Sequence, residues 1–235
     1  MIKKIFTVAL VFTLNACADL QQVINQLPQT GTTIGNDQIA SGLREALNLG
    51  IEKQVSKLTQ TDGFYKNDLV KILLPEELQQ VDKGLRSIGL GSLADEGIKA
   101  LNRAAEDAVK EATPIFVDAV KQITFTDAKN ILLGNDNAAT QYLTGKTQTP
   151  LYEKFHPVIN SSFSKVGADK IWTNLINKYN SIPFTNDVNP DLTDYVTSEA
   201  LEGVYTMIAV EEKEIRTDIS SRTTTLLKQV FALQD

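Results

Sequence analysis

The chain has 235 residues, with 29 acidic against 23 basic side chains, a formal charge of −6, one cysteine and one histidine. An acidic chain without a basic run lacks the electrostatic footprint of a nucleic-acid binder and gains nothing from an anionic membrane surface. One Cys cannot close an internal disulfide, and one Cys with one His supplies no set of transition-metal ligands, so only an oxygen-ligand Ca²⁺ or Mg²⁺ site stays chemically open and no cofactor is expected.

The first element is a leader. Met1-Ile2-Lys3-Lys4 is followed by the uncharged run Ile5 to Leu14 and then Asn15-Ala16-Cys17, the parts of a secretory signal peptide. Ten helical residues reach only about 15 Å against a hydrocarbon core of about 30 Å, so this run predicts a signal over residues 1–16 and not a transmembrane anchor. Leu14-Asn15-Ala16-Cys17 resembles the bacterial lipobox, in which the cysteine takes a diacylglycerol thioether and becomes the acylated amino terminus. That reading also explains why a lone thiol is kept in an oxidising compartment. The expected address is the cell envelope, with the membrane reached through lipid on Cys17. Asp19 stands one place beyond the position where an aspartate tends to retain lipoproteins at the inner membrane, which predicts the outer membrane, facing the periplasm. Loss of residues 1–16 removes Lys3 and Lys4 and no acid, taking the charge from −6 to −8.

Residues 17–37, rich in Gln, Asn, Thr and Gly, read as a tether. The LPQTG within it stands at the wrong end of the chain for a sortase signal. A helical domain is expected over 38–235. Ile39, Leu43, Leu47, Ile51, Val55 and Leu58 form an apolar stripe at helical spacing, which Thr61-Asp62-Gly63 closes. Pro75 suits the first position of a helix ending near Ser87, before Gly89-Leu90-Gly91. Ser92 with Asp95 marks the next start, and Ala94, Ile98, Leu101, Ala105, Ala108 and Ala112 give it a small-residue face that predicts a central, closely packed helix. Pro114 should kink or restart it. Short helices are expected at Asp127 to Leu133, capped by Thr126, and at Asp136 to Leu143, closed by Gly145. Others follow at Leu151 to Lys165, interrupted by Pro157, at Ala168 to Tyr179, at about Asp191 to Arg216, and over TTTLLKQVFAL. With no strand-period alternation, the fold class is all-α: a single irregular multi-helix domain after the signal peptide and flexible tether.

Several stretches resemble one family of bacterial exported proteins, the domain of unknown function DUF4197. They are GLREALNLGIEKQVSKL, LPEELQQVDKGLRSIGLGSLADE, NRAAEDAVKEATPIFVDAVKQITFTDAKNILLGNDNAATQYL, DYVTSEALEGVYTMIAVEEKEIR and RTTTLLKQVF. The resemblance covers nearly the whole mature chain and implies a helical, exported, usually lipid-anchored protein with no assigned activity.

Catalytic sets are thin, and the balance points away from an enzyme. A triad would have to use His156, yet no Gly-x-Ser-x-Gly elbow is present and the only Cys is expected to be acylated, so His156 reads as a partly exposed helix residue. Gly134-Asn135-Asp136-Asn137 lacks the alternating acids of a calcium loop and reads as helix capping by Asn135 or Asp136. The run Glu211, Glu212, Glu214 reads first as a solvated face, with Glu212 and Arg216 in favourable i,i+4 order. The functional alternative turns Glu211 or Glu212 inward toward a base such as Arg103 or Arg222. Asn102, Arg103 and Glu106 lie at the edge of the alanine stripe, where they either form a structural network or line the mouth of a cleft with Asp118 and Tyr142.

Three functions follow as expectations. The first is a non-enzymatic envelope lipoprotein that engages a protein partner as a scaffold or interaction module. The second is a carrier or sensor holding a small apolar or amphiphilic ligand between helices, with Asn102, Arg103 and Glu106 at the mouth. The third is a hydrolase pairing carboxylates among Glu106, Asp118, Glu211 and Glu212.

Overall fold

The computed structural model describes residues 35–233, apart from 88, 90, 167–169, 171, 174, 175, 178, 179 and 181–190. The signal, Cys17 and nearly all of the tether lie outside the described residues, as does much of the expected helix from Ala168 to Tyr179. The described part is all-α, as the apolar periodicity predicts. Its helices are α1 (Asn36–Leu58), α2 (Glu76–Ser87), α3 (Gly91–Val109), α4 (Ala112–Lys121), α5 (Phe125–Leu132), α6 (Ala138–Val166), α7 (Thr193–Thr217) and α8 (Thr225–Phe231), with a 3₁₀ turn at Ile219–Ser221. None of these is long and apolar enough to cross a membrane.

The alanine-rich α3 lies at the centre, packed along α6 and α7, while α1 spans α4, α5, α7 and α8. Ala104, Ala105, Ala108 and Ala112 are all buried, so the helices can approach closely there. Pro114 falls in the first turn of α4 and restarts the chain after α3, where its missing N–H has no intrahelical acceptor to lose.

Three sequence expectations need correction. Asp136–Leu143 and Leu151–Lys165 are not two helices: α6 runs unbroken through Gly145, Pro150 and Pro157. Each interior proline costs about 3 kcal/mol, but Leu143, Leu151, Phe155 and Ile159 are fully buried along this helix, each contributing about 1.5–3 kcal/mol. Packing therefore outweighs the breakers. The cap of α5 is Thr124, not Thr126. Its hydroxyl accepts from the Asp127 N–H at 3.1 Å, and Asp127 accepts from the Thr124 N–H at 2.9 Å, a reciprocal box that starts the helix two residues earlier. Finally, the first turn of α6 is capped by neither Asn135 nor Asp136, but by Glu212 from α7.

Candidate functional site

Between α1 and α2 the chain makes a connection over residues 59–75 that has no helix or strand of its own. Connections of this length are uncommon unless they serve a purpose. Asp62 turns the corner at φ 69°, a left-handed conformation that Asp tolerates. Phe64 then enters the core against Gly203 of α7, where an added Cβ would stand 2.7 Å from the Phe64 ring. Beyond the turn in which the Val70 and Lys71 N–H groups donate to the Asn67 carbonyl, burial alternates: Val70, Ile72 and Leu74 are buried, whereas Leu73 is exposed.

Polar side chains of α3 hold this connection in place. Asn102, with no exposed surface, accepts from the Ile72 N–H at 2.8 Å and donates to the Ile72 carbonyl at 2.8 Å and to the Ile98 carbonyl at 2.8 Å. Its amide thus pairs with Ile72 as a neighbouring strand would. Glu106, also buried, accepts from the Phe64 N–H at 3.2 Å and takes Arg103 at 2.5 Å. The second arm of Arg103 reaches Asp62 at 2.5 Å, and Lys66 pairs with the other Asp62 oxygen at 2.8 Å. The Lys66 hydrogen bond, with Arg103 adding its charge, holds the Asp62 carboxyl below its ordinary value of 3.8 although partial burial opposes this. Tyr195 of α7 donates to the Leu73 carbonyl at 2.9 Å.

So Asn102, Arg103 and Glu106 do come together, and each is committed to the connection. Asp118 is not brought to them: it is 69% exposed and pairs with Lys121 at 3.2 Å. Tyr142 lies on α6 under the ammonium of Lys146, where burial and the charge of Asp127 push its hydroxyl above its usual range. His156 is half-buried on α6, its ring 5.6 Å from that of Tyr152.

A second polar centre overturns the solvated reading of the acidic run. Glu211 and Glu212 are both buried. Glu211 takes Lys53 at 2.7 Å and the Gln54 amide at 2.5 Å. Glu212 accepts from the Ala139 and Thr140 N–H groups at 2.9 and 2.8 Å and from the Thr140 hydroxyl at 2.8 Å. Its base is Arg216, at 2.8 Å, and neither Arg103 nor Arg222. Arg216 also donates to the Ile131 and Leu132 carbonyls at the end of α5. The pair therefore sets a negative charge on the start of α6 and a positive charge on the end of α5, the orientation both helix dipoles favour. Arg222 is buried as well and donates to the Ile215 and Arg216 carbonyls at 3.0 Å each, closing the end of α7.

Beside this centre a cavity of about 20 Å³ is lined by Leu47, Ile51, Ile208, Glu211, Glu212 and Arg216, among others. It has room for about one water, far below the roughly 300 Å³ of a small-molecule site, and Asn102, Arg103 and Glu106 do not line it. Among the described residues no three His, Cys, Asp or Glu side chains gather where a metal ion could sit.

Outside, the clamped connection presents two leucines among the polar Gln60, Thr61, Lys66 and Asp68. Leu69 is 64% and Leu73 57% exposed, and Leu73 borders an open groove of about 560 Å³ with Lys71, Leu74, Pro75, Glu76 and Tyr195. Sequence reasoning found the α3 half of the clamp but missed Asp62 and Tyr195. The Asp62-Gly63 turn was visible as a helix stop, yet nothing local says which cation its carboxylate meets. No curated protein and no solved structure matches the chain. A family model described as a protein of unknown function matches residues 33–232, nearly the whole described part, and the chain belongs to that family, DUF4197.

Proposed function

We propose that this protein is a lipoprotein of the bacterial cell envelope, anchored through acylated Cys17 and facing the periplasm from the outer membrane. Its helical domain serves as a protein-interaction module. The observation that carries the reading is the connection over 59–75: two helices fix its backbone, and it presents Leu69 and Leu73 to solvent. An irregular segment held this firmly loses little conformational entropy on binding, and burying two leucines supplies about 1.5–3 kcal/mol each. The stretch from Cys17 to Gly35 spans at most about 60 Å when extended, so the partner lies within that distance of the bilayer beyond the domain's own width.

The test uses the full, lipidated chain in living cells. A photo-crosslinker at position 69 or 73 is expected to trap one reproducible protein that a crosslinker at the exposed Lys121 does not. A diffuse pattern shared by all three positions overturns the docking role. In the same cells Cys17→Ser should move the protein from the membrane to the soluble periplasmic fraction, and retention in the membrane overturns the anchor.

A further inference from the structure

Helices α6 and α7 run antiparallel, with Glu212 against Thr140 at one end, Tyr205 against Thr147 midway and Asp194 against Tyr152 at the other. Along the outer side of this pair lies a groove of about 530 Å³, within the range of small-molecule sites. Its walls carry Thr144, Gln148 and Tyr152 on α6 and Ser198, Glu202 and Thr206 on α7. Each row steps by four residues, about 6 Å of helix rise. Thr144, Gln148 and Tyr152 thus run along one wall, and Thr206, Glu202 and Ser198 run along the other in antiparallel order. Polar side chains therefore recur along each wall at a spacing close to the length of one pyranose.

Some of this chemistry is spent on the walls. Thr147 donates to the Leu143 carbonyl at 2.7 Å and so accepts from the Tyr205 hydroxyl at 2.7 Å, Thr144 donates to the Thr140 carbonyl, and Tyr152 donates to Asp194. Gln148, Ser198 and Glu202 are exposed. They offer an amide, a hydroxyl and a carboxylate, which together supply both donors and acceptors. The lining includes no Lys, Arg or His and only one carboxylate, so a phosphate or carboxylate ligand would meet no compensating charge. A chain of hydroxyls on an uncharged frame suits the polar groups of these walls.

We propose that the groove between α6 and α7 binds a short neutral oligosaccharide, about one sugar unit per four-residue step, with Gln148 and Glu202 as the central hydrogen-bonding residues. The site shares no residue with the connection over 59–75, so the proposal stands or falls independently of the protein-docking role.

The experiment is an NMR titration of the mature chain, residues 17–235 in detergent, with two defined probes, chitotriose and cellotriose. Saturable shifts of the Gln148, Ser198 and Glu202 amides with at least one probe are expected. Gln148→Ala with Glu202→Ala, both at exposed positions, should weaken that binding about tenfold, as the loss of one to two hydrogen bonds implies, while leaving the rest of the spectrum in place. The absence of saturable shifts with either probe overturns the proposal. So does binding that the double variant leaves unchanged.

Discussion

The joint at Glu212–Arg216 and the clamp at Asn102–Arg103–Glu106 use the same side-chain chemistry in different surroundings. At the joint both charged side chains are nearly dry, 5% and 6% exposed, and their hydrogen bonds go to helix ends or to each other. At the clamp the inner groups are dry, but the outer pair of Arg103 and Asp62 is 31% and 20% exposed, and what it holds is an irregular stretch that ends in open leucines. The joint fixes how three core helices meet. The clamp fixes the shape of a surface, and it gives a plain reason for spending buried polar groups on a stretch with no regular structure.

The sharpest way to break the comparison is at the joint. Arg216→Met leaves the Glu212 carboxylate buried with its backbone donors and without its cation, and should cost about 3–5 kcal/mol in urea unfolding, the range for stranding one partner of a buried pair. Adding Glu212→Gln should restore part of that loss, because the charge is then gone from both sides. A loss below about 1 kcal/mol for Arg216→Met would show that the pair is better hydrated than its burial implies.

The clamp should yield less, and locally. Asn102→Leu keeps the volume but orphans the Ile72 N–H and carbonyl, for about 2–4 kcal/mol. Hydrogen exchange should place the effect: the Ile72 and Phe64 amides are expected to speed up before those of α6 and α7, because the connection opens first. Uniform acceleration across the domain would make Asn102 part of the core and not the pin of a surface.

Most of the helices were legible in the sequence because apolar periodicity depends only on neighbours in the chain. Where it failed, the competing force came from elsewhere in the fold. Pro157 is a local break signal, but the burial of Phe155 and Ile159 against other helices is not local, and it prevailed. Thr124 is the opposite case: Thr-x-x-Asp is present in ITFTD, so the box that starts α5 at Phe125 is a local signal the sequence does contain. For the acidic run, the i,i+4 relation of Glu212 to Arg216 was readable, while its direction was not. Whether that face of α7 meets water or the start of α6 depends on how the two helices dock. The same limit explains why Asn102 could be placed at the rim of α3 but not assigned to Ile72, thirty residues back across an irregular connection.

The smallest effect sharpens the contrast between wet and dry charges. Asp62→Asn keeps a side chain that tolerates the left-handed backbone and removes only the charge seen by Arg103 and Lys66. Because the Asp62 carboxyl titrates below 3.8 in the folded chain, its contribution is fully present above its ordinary value and is lost as pH falls through the lower, folded one. The difference in Tm between the native chain and Asp62→Asn should therefore be small, hold steady from neutral pH down to about pH 4, and close in stronger acid. It should also shrink in 1 M salt, where the screening length falls to about 3 Å, whereas the Arg216→Met difference should barely respond. If salt instead erased the Arg216 effect and spared that of Asp62, the outer pair would be the shielded one and the assignment of wet and dry centres would have to be reversed.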